Sequence, residues 1–168
     1  MPNWCYHSAE ISHDDPAKIS TLIQTILDGR TFEHFLPIPP EVIGPTDPDL
    51  EARGIKAMGG TEYQWRVDHW GTKWDICYPN IEKKSGNSIF VSFETAWSPP
   101  LGAFEAMKAE GYKVRSEYWE EGGFYVGIWD DGDSRIFEPD QAPEDMKHLA
   151  ANVLNSDEEE EDDDPEAA

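Results

Sequence analysis

Between Asn3 and Ile11, the stretch NWCYHSAEI sets aromatic residues, a Cys and a closing Ile around polar positions, which predicts a first strand. The period then changes to helical. In HDDPAKISTLIQTILDG, residues Ile19, Leu22, Ile23, Ile26 and Leu27 fall on one helical face. Asp14 or Asp15 can cap that helix, Pro16 suits its first turn, and Gly29 ends it. Five prolines between residues 37 and 48 then forbid a long regular element, so FEHFLPIPPEVIGPTDPDL reads as an apolar strap over the core. A short helix is expected over Leu50–Met58. A second is expected over Thr61–Trp70, with Thr61 as cap and Gly71 as stop.

After Thr72 the pattern predicts a hairpin. One arm is Trp74–Ile81, the other is Ser88–Trp97, and the turn is Lys84-Ser85-Gly86-Asn87. Ser98-Pro99-Pro100 starts a helix whose inner face is Leu101, Ala103, Phe104 and Met107, stopped by Gly111. YKVRSEYWEEGG and FYVGIWDDG follow as two strands joined at Gly122-Gly123, and SRIFEP adds another. Residues 143–154, with Met146, Leu149 and Val153 as apolar positions, give a final short helix. The order is β-α-β-β-α-β with an insertion at about 30–73. It implies an α+β sandwich, an antiparallel-dominated sheet with two main helices on one face. Residues 1–156 form this single domain, and the run 157–168 is expected to be a disordered acidic tail.

Charge narrows the function classes. The 168 residues carry 35 acids against 13 bases, a net −22. Without the nine acids of residues 157–166 the body is still at −13, and Glu117–Asp145 holds ten acids and one base, Arg135. Such a body is repelled by phosphate backbones, so direct nucleic-acid binding is disfavoured, and a basic protein partner, divalent cations or simple solubility are favoured. The acidic-face candidates are Glu117, Glu120, Glu121, Asp130, Asp131 and Asp133. No apolar run approaches the roughly 18 residues of a membrane span. MPNWCYH lacks a basic-then-apolar signal, so a cytoplasmic location is expected. Cys5 and Cys77 read as small core residues, with a coupled pair as the alternative.

The densest chemistry is RVDHWGTKWD, Arg66–Asp75. As structure, it is a joint: Trp70 and Trp74 flank a Gly turn and staple the insertion to the sheet, with Lys73 over an indole or paired with Asp68 or Asp75. As function, it is an aromatic-walled pocket built from Trp70, Lys73, Trp74, Asp75 and Trp97. His7, His13, His34 and His69 show no ligand spacing with one another or with Cys5, Asp68 and Asp75, so no metal site is expected. There is no Gly-x-Ser-x-Gly, phosphate loop or dinucleotide fingerprint, no legible partner for a catalytic amine at Pro2, and hence no assigned catalytic residue or cofactor.

Five stretches carry a resemblance. They are MPNWCYH, the Phe-x-x-Phe-x-Pro-x-Pro strap at Phe32–Pro39, Trp70-Gly71-Thr72-Lys73-Trp74-Asp75, Phe93–Pro100 (FETAWSPP) and Glu121-Gly122-Gly123-Phe124. They span most of residues 1–130, and in them the chain resembles a family of small phage and plasmid proteins, YubB-like or Api-like, with a ferredoxin-like domain. That resemblance implies a ferredoxin-like sandwich and no catalytic residues, since the family has no established activity. "Ferredoxin-like" names a shape here: two cysteines cannot hold a four-thiolate cluster. The expectation is a non-enzymatic accessory protein of a phage or other mobile element, in the host cell cytoplasm if phage-encoded, that acts by binding a basic host or phage protein, in one version as an acidic nucleic-acid mimic that inhibits or modulates a host protein. The alternative is a small enzyme or ligand-binding protein using the pocket around Lys73 and Asp75.

Overall fold

The computed structural model describes residues 2–43 and 62–159. The helix expected over Leu50–Met58, the Thr61 cap and the acidic run beyond residue 159 lie outside the described residues. Among the described residues six strands form one sheet: β1 (Trp4–Ser12), β2 (Cys77–Lys83), β3 (Ser88–Ala96), β4 (Lys113–Glu120), β5 (Val126–Asp130) and β6 (Asp133–Phe137). Their order is β2-β3-β1-β4-β5-β6, and every pairing is antiparallel. The first four strands with two crossover helices make the ferredoxin-like β-α-β-β-α-β core, and β5 and β6 extend it by hairpins.

α1 (Pro16–Leu27) is the first crossover. Asp15 accepts from the Ala17 amide as its N-cap, and Ile19, Leu22 and Ile26 are buried. Leu27, at the outer edge of that stripe, is 67% exposed. The second crossover, after β3, is α5 (Leu101–Ala109), which buries Ala103, Phe104 and Met107. The strap holds more regular structure than its prolines predict: α2 (Thr31–Phe35) ends before Pro37, and α3 (Pro40–Ile43) begins on a proline, where no amide donor is needed. α4 (Glu62–His69) ends ahead of Gly71 as expected. The first hairpin arm starts at Cys77 rather than Trp74, and its register shifts between Cys77 and Asn80. Pro79 is tolerated there because β2 is an edge strand.

The sheet is covered differently on its two faces. Cys5, His7, Ala9 and Ile11 alternate along β1 toward one face, where Ile89, Val91, Phe93, Val114 and Tyr118 join the residues of α1 and α5. Val126 and Ile128 turn to the other face. There they meet Met146, Leu149, Ala150 and Val153, the last three from α6 (Lys147–Glu159), with Trp119 and Phe137 packed against the cluster. The C-terminal helix is therefore a third layer over the β4-β5-β6 half, and it continues into the first three residues of the acidic run.

A small polar cluster, His7 with Thr95 and Ser116, lies inside the main core. His7 is buried, stacks on Phe93 (4.5 Å between centroids, 5° between planes), and bonds through Nε2 to Thr95 Oγ1 at 2.9 Å and through Nδ1 to Ser116 Oγ at 3.3 Å. Burial pushes its imidazole down to about 3, so it is neutral at ordinary pH.

Candidate functional site

The Arg66–Asp75 block is a joint built largely from backbone. Gly71 turns the chain at φ +90°, and a Cβ there would meet the Pro99 carbonyl oxygen at 2.9 Å. Thr72 Oγ1 donates to the Ala96 carbonyl (3.0 Å), and Ser98 Oγ donates to the Gly71 carbonyl (2.6 Å). The Trp70 carbonyl accepts from the amides of Gly102 (3.1 Å) and Ala103 (3.3 Å), in the first turn of α5. Trp70 itself is buried. Its Nε1 donates to the Leu36 carbonyl at 2.8 Å, and its ring stands edge-on to Phe32 and Trp65. It fastens the strap to the core.

Asp75 does not pair with Lys73. Its Oδ1 accepts from the amides of Thr31 and Phe32 (3.1 Å each) and Ile76 (2.8 Å), and its Oδ2 from the amide of Glu33 (3.1 Å). Arg30, at the N-cap position of α2, makes no side-chain cap, so a carboxylate distant in sequence caps that helix instead. Burial pushes the Asp75 carboxyl above the usual carboxylate range, while the four amides pull it down. Asp75→Ala leaves those donors without their acceptor. Its expected cost is about 2–3 kcal/mol in urea unfolding, with Asp75→Asn milder because one oxygen remains.

Lys73 points to aromatic rings. Its Nζ lies over Trp74 at 4.3 Å and over Trp97 at 4.1 Å from the ring centroids. Trp74 is 37% and Trp97 45% exposed. Trp4 extends the cluster, 6.1 Å from Trp74 and 5.5 Å from Tyr78, which is 71% exposed. Tyr78 and Trp97 have φ of +48° and +70°, a region costly for bulky residues. Trp97 is held there by its amide donating to the Asn3 carbonyl (2.9 Å) and by Tyr125 Oη donating to its own carbonyl (2.5 Å). Sequence reasoning placed Trp97 and Trp74 together and missed Trp4 and Tyr78. Trp4 had a legible signal: it alternates with the inward Cys5 on β1.

Beside this patch is the half of the sheet that α6 leaves uncovered. Tyr6 stacks on Trp119 (4.5 Å) and donates to Glu121 Oε2 (3.3 Å), while the Trp4 amide donates to Glu121 Oε1 (2.8 Å). Glu94 stands opposite Tyr6 in the register. Burial, then Glu121 and Glu94, push the Tyr6 phenol up to about 12; burial and Glu121 raise the Glu94 carboxyl. Negative charge here is only partly hydrated and has neighbours of its own sign.

The six acidic candidates do not share one surface. Glu117 bonds to His148 Nε2 (2.8 Å) and Arg115 (3.0 Å); burial raises its carboxyl, but these two partners outweigh it and hold it below the ordinary range. Asp130 and Asp133 face each other across β5 and β6, with Arg115 Nε 3.8 Å from Asp130. Asp131 occupies their turn at φ +46°. Glu121 belongs to the Tyr6 cluster. Glu120 is 2% exposed and accepts from the Phe124 amide (3.3 Å), so it cannot meet a partner: its place in β4 directs the side chain inward, which an acidic run does not reveal.

A cleft of about 370 Å³ lies on another side of Trp74, lined by Arg30, Glu33, Arg66, Trp70 and Asp75 among others. Lys73 and Trp97 are not in its lining, so the five pocket candidates divide between this cleft and the exposed patch. Among the described residues no group of three or more His, Cys, Asp or Glu is placed to hold a metal. Cys5 pairs with Thr95 and Cys77 with Glu94, adjacent residues of β3, so the two thiols face opposite sides of the sheet and both are free. Burial pushes the Cys5 thiol up to about 12.

The order of the strands and crossover helices defines an α+β sandwich with a ferredoxin-like core. A solved structure shares it: the crystal structure of a protein api92 from Yersinia pseudotuberculosis, of the family model DUF1281, matches with a TM-score of 0.51 and 12% sequence identity over 82% of this chain and 98% of that one. At that identity the likeness shows the fold. No family model matches the chain, and no curated protein does. Among the described residues, no helix is long and apolar enough to cross a membrane.

Proposed function

We propose that the protein is a non-enzymatic accessory protein of a phage or other mobile element that acts by binding a basic protein of its host or of the element. One observation carries this reading. Trp4, Trp74, Tyr78 and Trp97 form a partly exposed aromatic cluster at the end of the sheet beyond the part that α6 covers, next to the Glu94 and Glu121 carboxylates. Exposed Trp and Tyr are the side chains that anchor protein interfaces, and two of these four are held at costly backbone angles. Charge supports a basic occupant: a body at −13 before its tail attracts a basic surface and repels nucleic acid. Occupying the basic, nucleic-acid-binding surface of such a partner makes the protein an acidic competitor of the nucleic acid.

The test is affinity capture from bacterial lysate with wild type and a Tyr78→Gly/Trp97→Gly double variant, glycine suiting both backbone angles. The expected result is a basic, nucleic-acid-binding protein retained at about 50 mM salt, lost near 500 mM, and not retained by the double variant. Capture indifferent to both changes, or no capture by wild type, refutes the reading.

A further inference from the structure

We propose that Trp74 and Trp97 form an aromatic site for a cationic side chain of the partner, and that Lys73 is its resident plug. The inference rests on the protein-binding reading and adds the chemistry that the site takes.

An ammonium already lies there. Lys73 Nζ is 4.3 Å from the Trp74 centroid and 4.1 Å from that of Trp97, within range for attraction by both ring quadrupoles. In a chain with 35 acids, Lys73 makes no ion pair with a carboxylate among the described residues. The rings are its counterpart. A cluster that served only to fill the core would be closed, yet both indoles are more than one-third exposed. Trp97 is fixed from both sides, through its amide to Asn3 and its carbonyl to Tyr125. Trp74 sits between Thr72, bonded to Ala96, and Asp75, which caps α2. The backbone that carries both rings is therefore held by the fold, whereas Lys73 is a half-buried side chain on a flexible four-carbon stem.

Those features make exchange easy. A guanidinium or ammonium arriving from a partner finds two ring faces in place and has only to displace one tethered cation, which swings into water. Trp4 lies 6.1 Å from Trp74 and widens the aromatic floor. The net −22 raises the local concentration of basic groups. Lys73 lowers the apparent affinity of every incoming cation by the fraction of time it fills the site.

NMR of the full chain tests this, following the indole N–H signals while N-acetyl-arginine amide or tetramethylammonium chloride is added, with sodium chloride as control. Lys73→Ala is expected to shift the Trp74 and Trp97 signals at about tenfold lower probe concentration than wild type, since two cation–π contacts no longer compete. Adding Trp97→Gly removes the response. In wild type, the upfield-shifted methylene protons of Lys73 return toward ordinary values as the probe displaces it, a readout needing no substitution. Response to the arginine probe alone assigns the site to arginine; response to both assigns it to organic cations generally. If Lys73→Ala folds and gains nothing, or the Lys73 protons do not move at saturating probe, the proposal is overturned. The probes are small cations, so failure here leaves the lysate capture to decide partner binding separately.

Discussion

Gly102→Ala is expected to destabilise the protein by about 3 kcal/mol, although the same change in an open helix gains about 1 kcal/mol. A Cβ at Gly102 would lie 1.8 Å from the His69 carbonyl oxygen and 3.3 Å from the Trp70 carbonyl carbon. Both belong to backbone, so no rotamer change relieves the contact. The close approach exists because the Trp70 carbonyl accepts from the Gly102 and Ala103 amides, binding the end of α4 to the start of α5. Relief means pushing those segments apart and losing these bonds. In a domain of this size the melting temperature should fall by roughly 6–12 °C. Gly86→Ala is the control: it lies in the hairpin turn with open space around it and should change stability by less than about 0.5 kcal/mol. Equal melting temperatures for the two variants would mean the α4–α5 joint is looser than described.

Acidification should destabilise the fold through His7. Its folded pKa of about 3 lies below the ordinary 6.5, so below pH 6.5 the unfolded chain takes up a proton that the folded core refuses. The stability due to the neutral imidazole is complete above pH 6.5 and falls as the pH drops toward 3. The full loss is about 4–5 kcal/mol, with about 2–3 kcal/mol of it already gone at pH 4.5. Asp75 and Glu94 act in the opposite sense, because folded carboxyl groups raised above the ordinary range take up protons before the unfolded chain does. The His7 component is isolated by comparing urea unfolding of wild type and His7→Gln at pH 7.5 and 4.5. The gap between the two should move in the variant's favour by about 2–3 kcal/mol at the lower pH. Parallel pH dependences would show that His7 is not held neutral in the core.

Much of the fold was legible in the chain. Aromatic, Cys and Ile residues around polar positions marked β1, the Lys84–Asn87 turn marked the hairpin that holds β3, the Ile and Leu spacing marked α1, and Pro99-Pro100 marked the start of α5, because these signals are local and set by backbone geometry. Ser98, readable as the cap of α5, instead bonds to the Gly71 carbonyl, and that helix has no side-chain cap. The strap was not legible: α2 is only five residues long and is capped by Asp75, which no local pattern announces. The layer to which the last helix belongs was equally hidden. Met146, Leu149 and Val153 show that it buries a face, but they do not say which side of the sheet receives it.

The candidate site divides in the same way. Trp74 and Trp97 were readable as a pair because each flanks the joint between the insertion and the core. That Lys73 would choose their rings over Asp68 or Asp75 was open, since all three partners lie within reach along the chain. The tertiary structure decided it by giving all of the Asp75 oxygens to backbone amides. It also took Glu120 out of the acidic face by turning it inward. The sequence by itself determined the strands, the two crossover helices, their order and the sign of the net charge, because hydrophobic period, turn residues and charge act locally or by sum. Only the tertiary structure decided which aromatic rings stay exposed and which charges find a partner, because these depend on segments distant in the chain.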